Sequence, residues 1–152
     1  MNLDPAAPHL RVASIPAFAM MVAGIVVMFV RGTLFGRDVP AIAVQAAAVA
    51  LMVWARVTFG MRSFHAAANP TQGGLVTTGP YRFVRHPIYA AAIYFVWAGA
   101  LDYRSPAVVG AASLLTTGAV LRMLSEERLL TGAYPAYAAY KRRTARIIPY
   151  VL

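Results

Sequence analysis

Five acids serve the whole chain of 152 residues, Asp4, Asp38, Asp102, Glu126 and Glu127, against fourteen lysines and arginines. Two of the five are adjacent, and they follow Arg122 by about one helical turn, just after a long uncharged run has ended. On a helix Arg122 and Glu126 are four residues apart and share a face, so a guanidinium fork and a carboxylate stand side by side. Glu127 points about 100° away from Glu126, which suits a salt bridge or solvent rather than a second ligand contact. Upstream, Arg85-His86-Pro87 closes a long loop on the same side of the molecule. A pocket between that loop, the helix carrying Glu126 and the C-terminal tail is therefore where charged groups would be recognised. The chain has no cysteine, which excludes disulfides and thiol catalysis, and His9, His65 and His86 lack the paired spacing of a zinc site. No metal ligand is expected.

The elements that position these residues are apolar. Hydrophobic residues make up 60% of the chain and charged ones 12%, about half the charge of an ordinary soluble domain. The apolar residues gather into runs: Val12 to Val30, Val39 to Ala55, Pro87 to Leu101 and Ser105 to Leu121. A bilayer core of roughly 30 Å takes about 20 helical residues, and flanking Arg, Tyr and Trp can snorkel where a run is short. The expected fold is all-α: a polytopic membrane bundle of about four transmembrane helices plus a short interfacial helix over Ala136 to Arg143. It reads as one domain over 1–152, with two N-terminal membrane helices in 1–55. Asn69-Pro70, Gly73-Gly74 and Gly79-Pro80 mark the long connection as loop, whereas Asp102 to Pro106 leaves room only for a tight antiparallel hairpin. Pro87 and Pro106 suit first helical turns. The last long helix should run past Glu127 to Leu130 and stop at Gly132 and Pro135. Tyr134, Tyr137 and Tyr140 read as interface aromatics, His65 as a surface residue, and Ile147-Ile148-Pro149 as an apolar lid or anchor.

With four spans, eleven of the fourteen basic residues share the side that holds both termini and the 56–86 loop; Arg31, Arg37 and Arg104 face the other. The positive-inside rule places both termini in the cytoplasm. The alanine- and arginine-rich composition points to a bacterial inner membrane. A net charge of +9 then finds its partners in anionic lipid headgroups, not in nucleic acid.

The order of segments is specific. Gly74 to Tyr81, Arg82-Phe83-Val84-Arg85-His86-Pro87-Ile88-Tyr89, Arg122 to Glu127, then Tyr134 to Tyr140 and Arg146 to Pro149 together resemble the isoprenylcysteine carboxyl methyltransferase and phospholipid methyltransferase family. The resemblance covers residues 56–152 and implies an integral membrane enzyme that moves a methyl group from S-adenosylmethionine to a lipophilic acceptor entering from the bilayer. It also implies cofactor contacts at Gly74, Leu75, Val76, Tyr81, Arg85, His86, Pro87, Ile88, Tyr89 and Glu126, and a substrate-binding role for Arg122. Those roles fit the chemistry. Glu126 can take the donor's ammonium in a charge-assisted hydrogen bond, the tyrosine faces suit a sulfonium, and Arg122 can fork onto an acceptor carboxylate. The acceptor itself, carboxylate, thiol or amine, stays open, as does oligomeric state. Membrane sterol and steroid reductases share a His-Pro-x-Tyr segment and use a nicotinamide cofactor, but they are longer and lack this Arg-x-x-x-Glu-Glu arrangement. A small non-catalytic membrane scaffold is the third reading.

Overall fold

The computed structural model describes residues 7–60 and 75–149, without the side chains of 7–11 and 13. Gly74 and His65 lie outside the described residues. Within them the chain forms α1 (Ala7–Val30), α2 (Val39–Phe59), a 3-10 turn (Gly79–Arg82), α3 (Pro87–Tyr103), α4 (Pro106–Ala133) and α5 (Tyr137–Arg143). Every regular element among them is helical, as composition requires. Pro87 and Pro106 open α3 and α4, where the missing N–H has no intrahelical acceptor in any case. Only Arg104 and Ser105 join these two helices. Arg104 takes a left-handed conformation (φ 50°) and its N–H donates to the Ala100 carbonyl at 3.0 Å, closing the hairpin.

α1 packs along α4, and α2 along α3. The first pairing depends on glycine. A Cβ on Gly118 would lie 2.4 Å from the Ala17 carbonyl oxygen, and one on Gly24 would lie 2.6 Å from that of Ala111. Between the helices Met28, Val96, Leu115 and Met123 form a fully covered core. The second pairing is tied by Gln45. Its buried side-chain amide donates to the Leu34 and Phe95 carbonyls at 2.9 and 3.1 Å and accepts from Gly36 N–H at 2.9 Å. Gly118→Ala is expected to destabilise the protein by about 1–3 kcal/mol through overpacking, less the ~0.5–1 kcal/mol that alanine gains over glycine in a helix. Gly110, where an added Cβ meets nothing within 4 Å, is the control. Thermal midpoints should fall for Gly118→Ala and hold or rise for Gly110→Ala.

Two of the expected membrane spans are evident among the described residues, and two further expectations need correction. About four membrane-spanning helices were expected, but two described helices, α2 and α4, are long and apolar enough to cross a bilayer. α1 has 24 residues, with its described apolar side chains running from Ser14 to Val30, and α3 has 17 residues, about 26 Å at the helical rise. α3 also lies inside the bundle, with Ala90, Ala91, Val96 and Ala100 all but inaccessible. The first of these corrections concerns α5, which does form over nearly the expected residues. Tyr137 and Tyr140 are not interface aromatics: they are 1% and 5% exposed. The apolar alternation of this short helix serves the protein interior. α4 also runs through Gly132 and ends where the Tyr134 N–H donates to the Leu130 carbonyl, so Pro135, not the glycine, sets its limit.

Candidate functional site

The site is built at one end of the bundle, where α3 begins, α4 extends beyond its apolar part, and the tail returns. Gly79 starts the entry turn with φ +56°, a conformation that favours glycine, and a Cβ there would lie 2.5 Å from Thr58 Oγ1 at the end of α2. The turn seats Tyr81 against Phe59, with ring centroids 5.5 Å apart. The Tyr81 carbonyl accepts the Tyr140 hydroxyl at 2.6 Å. Burial pushes the Tyr140 hydroxyl up to about 12 and raises that of Tyr81 too, so both stay neutral at physiological pH. Val84 then pairs in parallel with Ala145. The N–H groups of Arg85 and His86 donate to the carbonyls of Ala145 and Arg146 at 2.8 and 3.1 Å. The tail is thereby stitched along the 83–86 segment before α3 begins.

Two carboxylates organise what lies beneath. Glu126 receives the Tyr89 hydroxyl, the Arg122 Nε lies 3.3 Å from the same oxygen, and His86 Nδ1 stands 3.8 Å from its other oxygen. Arg122 Nε also donates to the Tyr89 hydroxyl oxygen at 2.6 Å. Arg122, Tyr89 and Glu126 thus form a closed triangle across α3 and α4. The Glu126 side chain keeps 23% of its surface accessible. Glu127 is different. It is 4% exposed and accepts from Arg85 Nε at 3.1 Å and from Arg146 Nε and Nη2 at 3.1 and 3.2 Å. Lys141 Nζ at 3.3 Å and His86 Nε2 at 3.4 Å complete its surroundings.

The structure therefore brings His86, Tyr89, Arg122 and Glu126 together, as the sequence led us to expect. Pro87 is buried and Ile88 half-buried beside them, Tyr81 sits in the adjoining turn, and Leu75 and Val76 lie half-buried in the stretch leading to it. Arg85 faces elsewhere. Its guanidinium donates to Glu127, to the Lys141 carbonyl at 3.1 Å and to the Thr144 carbonyl, which makes it a clamp on the tail. The sequence reading of Glu127 left a salt bridge and solvent open, and the structure has the salt bridges. Three participants escaped it altogether. Arg146 and Lys141 neutralise Glu127 from the tail, and Phe18 of α1 lies under the Arg122 guanidinium, 5.1 Å from Cζ to ring centroid. The scarcity of acids was the available signal for the first two, because a lone buried carboxylate in so basic a chain must collect cations. Among the described residues no cluster of three or more His, Asp or Glu is arranged to hold a metal ion.

Residues 39–137 match the family described as phospholipid methyltransferase. The match starts earlier than the 56–152 stretch the motifs marked, taking in α2, and ends before the tail. Two curated proteins are each 38% identical over 78 residues, which is 49% of this chain. They are the cobalt-zinc-cadmium resistance protein CzcN of Cupriavidus metallidurans, matched over 35% of its length, and the nickel-cobalt-cadmium resistance protein NccN of Alcaligenes xylosoxydans xylosoxydans, matched over 36%. The aligned part of the chain spans about a third of the length of these relatives. No solved structure matches.

Proposed function

This chain belongs to the phospholipid methyltransferase family, among the isoprenylcysteine carboxyl methyltransferase-type membrane methyltransferases, and from that membership we propose that it transfers a methyl group from S-adenosylmethionine to a lipophilic acceptor. The observation that carries the proposal is the convergence of His86, Tyr89 and Arg122 on one partly accessible carboxylate, Glu126. The residues present fit the cofactor. The Glu126 oxygen that faces His86 can accept an ammonium, and His86 Nε2 is a buried polar atom without a hydrogen-bond partner, although it lies near Glu127. When bound, S-adenosylmethionine supplies an electrophilic methyl group. Glu126 would hold its ammonium, Tyr81 and Tyr89 would offer aromatic faces to its positive sulfur, and the 86–89 segment with Gly74, Leu75 and Val76 would line the remainder.

The protein's own contribution is orientation and dryness. Arg122 is 5% exposed and fixed from two sides, so it would present its guanidinium in one direction and aim an acceptor carboxylate. A carboxylate needs no base to accept a methyl group, and placement with exclusion of water then supplies most of the acceleration. An amine acceptor would have to lose a proton, for which His86 is the available group.

In this reading α2 and α4 cross the membrane and the whole chain acts as one membrane unit. The apolar side chains left exposed on α1 and α2, among them Ile15, Val22, Phe29, Ile42, Val49 and Val53, meet lipid. The site end lies in the cytoplasm with Arg56, Arg82, Arg128 and the basic tail, as positive charge near membrane helices favours. The test is a membrane lipid extract incubated with the purified protein and methyl-labelled donor, followed by mass analysis of the labelled product. Label in a lipid-soluble product that depends on Arg122 is expected; no transfer into the lipid phase would count against the proposal.

A further inference from the structure

The family match begins at residue 39, yet the Arg122 guanidinium is covered by a ring that precedes it. Phe18 stacks within 5.1 Å of Arg122 Cζ while 40% of its own surface stays exposed. A ring in that position has one side on the cation and the other on the apolar outside of the bundle. Its surroundings on that outside are apolar too: Val22 of α1 and Leu121 of α4 are 43% and 46% exposed. The backbone beneath is held in register by the close passage of Ala17 against Gly118. Phe18 is thus mounted on a fixed helix face, next to a buried guanidinium, at the boundary with the hydrocarbon layer.

We infer that Phe18 is a specificity-determining gate, through which a single-chain amphiphilic carboxylate reaches Arg122 from the bilayer while wider apolar groups are turned away. The inference rests on the reading of Arg122 as the acceptor's anchor. Three features select this class of ligand. The guanidinium is a planar fork that matches a carboxylate. The approach from the α1 side is apolar, which suits a hydrocarbon chain. The Phe18 ring itself stands on the guanidinium, so an arriving carboxylate must exchange that cation–π contact for an ion pair. Because α1 lies outside the matched segment, the gate belongs to this chain's own N-terminal part and would tune acceptor choice without altering the donor site.

The test reads Arg122 directly, independent of turnover. The full chain in phosphatidylcholine nanodiscs is treated with phenylglyoxal, which modifies guanidinium groups, and modification of the Arg122-containing peptide is followed by mass spectrometry. Oleate serves as the slim carboxylate probe and cholesteryl hemisuccinate as the wide one. In the wild type, oleate should slow modification of Arg122 and cholesteryl hemisuccinate should not. Phe18→Ala should be modified about three- to ten-fold faster than wild type, the scale of a lost cation–π contact, and should be protected by both probes. Phe18→Trp should retain the wild-type pattern, which separates a gate from general loosening of the helix pair. Wild-type rate and selectivity in Phe18→Ala would overturn the inference, as would failure of oleate to protect the wild type. S-adenosylmethionine binding, titrated on the same samples, reports on the methyltransferase reading separately: selective protection without donor binding would sink that reading and leave the gate standing.

Discussion

Glu127→Ala is expected to lower the stability of the protein by about 3 kcal/mol, the lower end of the range for breaking a buried ion pair. The lower end applies because two of the cations it holds, Lys141 and Arg146, keep 47% and 35% of their side-chain surface exposed and can be hydrated. Arg85 cannot: its side chain is 7% exposed, and without Glu127 its charge is left against backbone carbonyls alone. For a domain of this size such a loss corresponds to roughly 6–12 °C in the thermal midpoint. Charge rather than volume is the cause, so Glu127→Gln should fall nearly as far. The tail should loosen with it, since Arg146 is the cation placed next to the Ala145 pairing and to Ile147, whose carbonyl accepts the Tyr94 hydroxyl at 2.6 Å. A midpoint within ~2 °C of wild type for both variants would show that the pairing of Val84 with Ala145 and the packing of Ile147 hold the tail without the carboxylate.

The second large effect falls on binding. Glu126→Gln should raise the dissociation constant for S-adenosylmethionine roughly 10- to 150-fold, the scale of a hydrogen bond to a charged group. It should do so with little change in stability, because Glu126 is partly accessible and its partners Tyr89 and Arg122 also bond each other. The two adjacent glutamates are thus expected to separate cleanly. One variant keeps its fold and loses the donor; its neighbour loses the fold first. If Glu126→Gln bound the donor normally, the carboxylate would be reduced to a partner for Arg122.

How far the sequence led is clearest at these two residues. The spacing of Arg122 and Glu126 put them on one face of α4, and the proline after His86 opened α3, whereas the place of Tyr89 beside them came only from the family resemblance. The burial of Glu127 could not be anticipated. On an isolated helix it points away from Glu126, and only the return of the tail, 19 residues later at Arg146, turns that side into an interior. The same limit applies to Phe18, whose partner lies on a helix more than one hundred residues away. The number of spans is harder to read from the sequence for a related reason. Run length reports apolarity but not who covers it, and α3 spends its apolar surface on α2 and α4. Tyr137 and Tyr140 were misplaced likewise, because a tyrosine with an apolar body and a polar tip suits a lipid interface and a hydrogen-bonded interior equally.

The most direct test of the central claim is calorimetric titration of the full chain in detergent with S-adenosylmethionine and, separately, with NADPH. The account predicts saturable binding of S-adenosylmethionine that weakens in both Glu126→Gln and His86→Ala, and none of NADPH. Binding of NADPH without S-adenosylmethionine would contradict it and place the site with the reductases that share its His-Pro-x-Tyr segment.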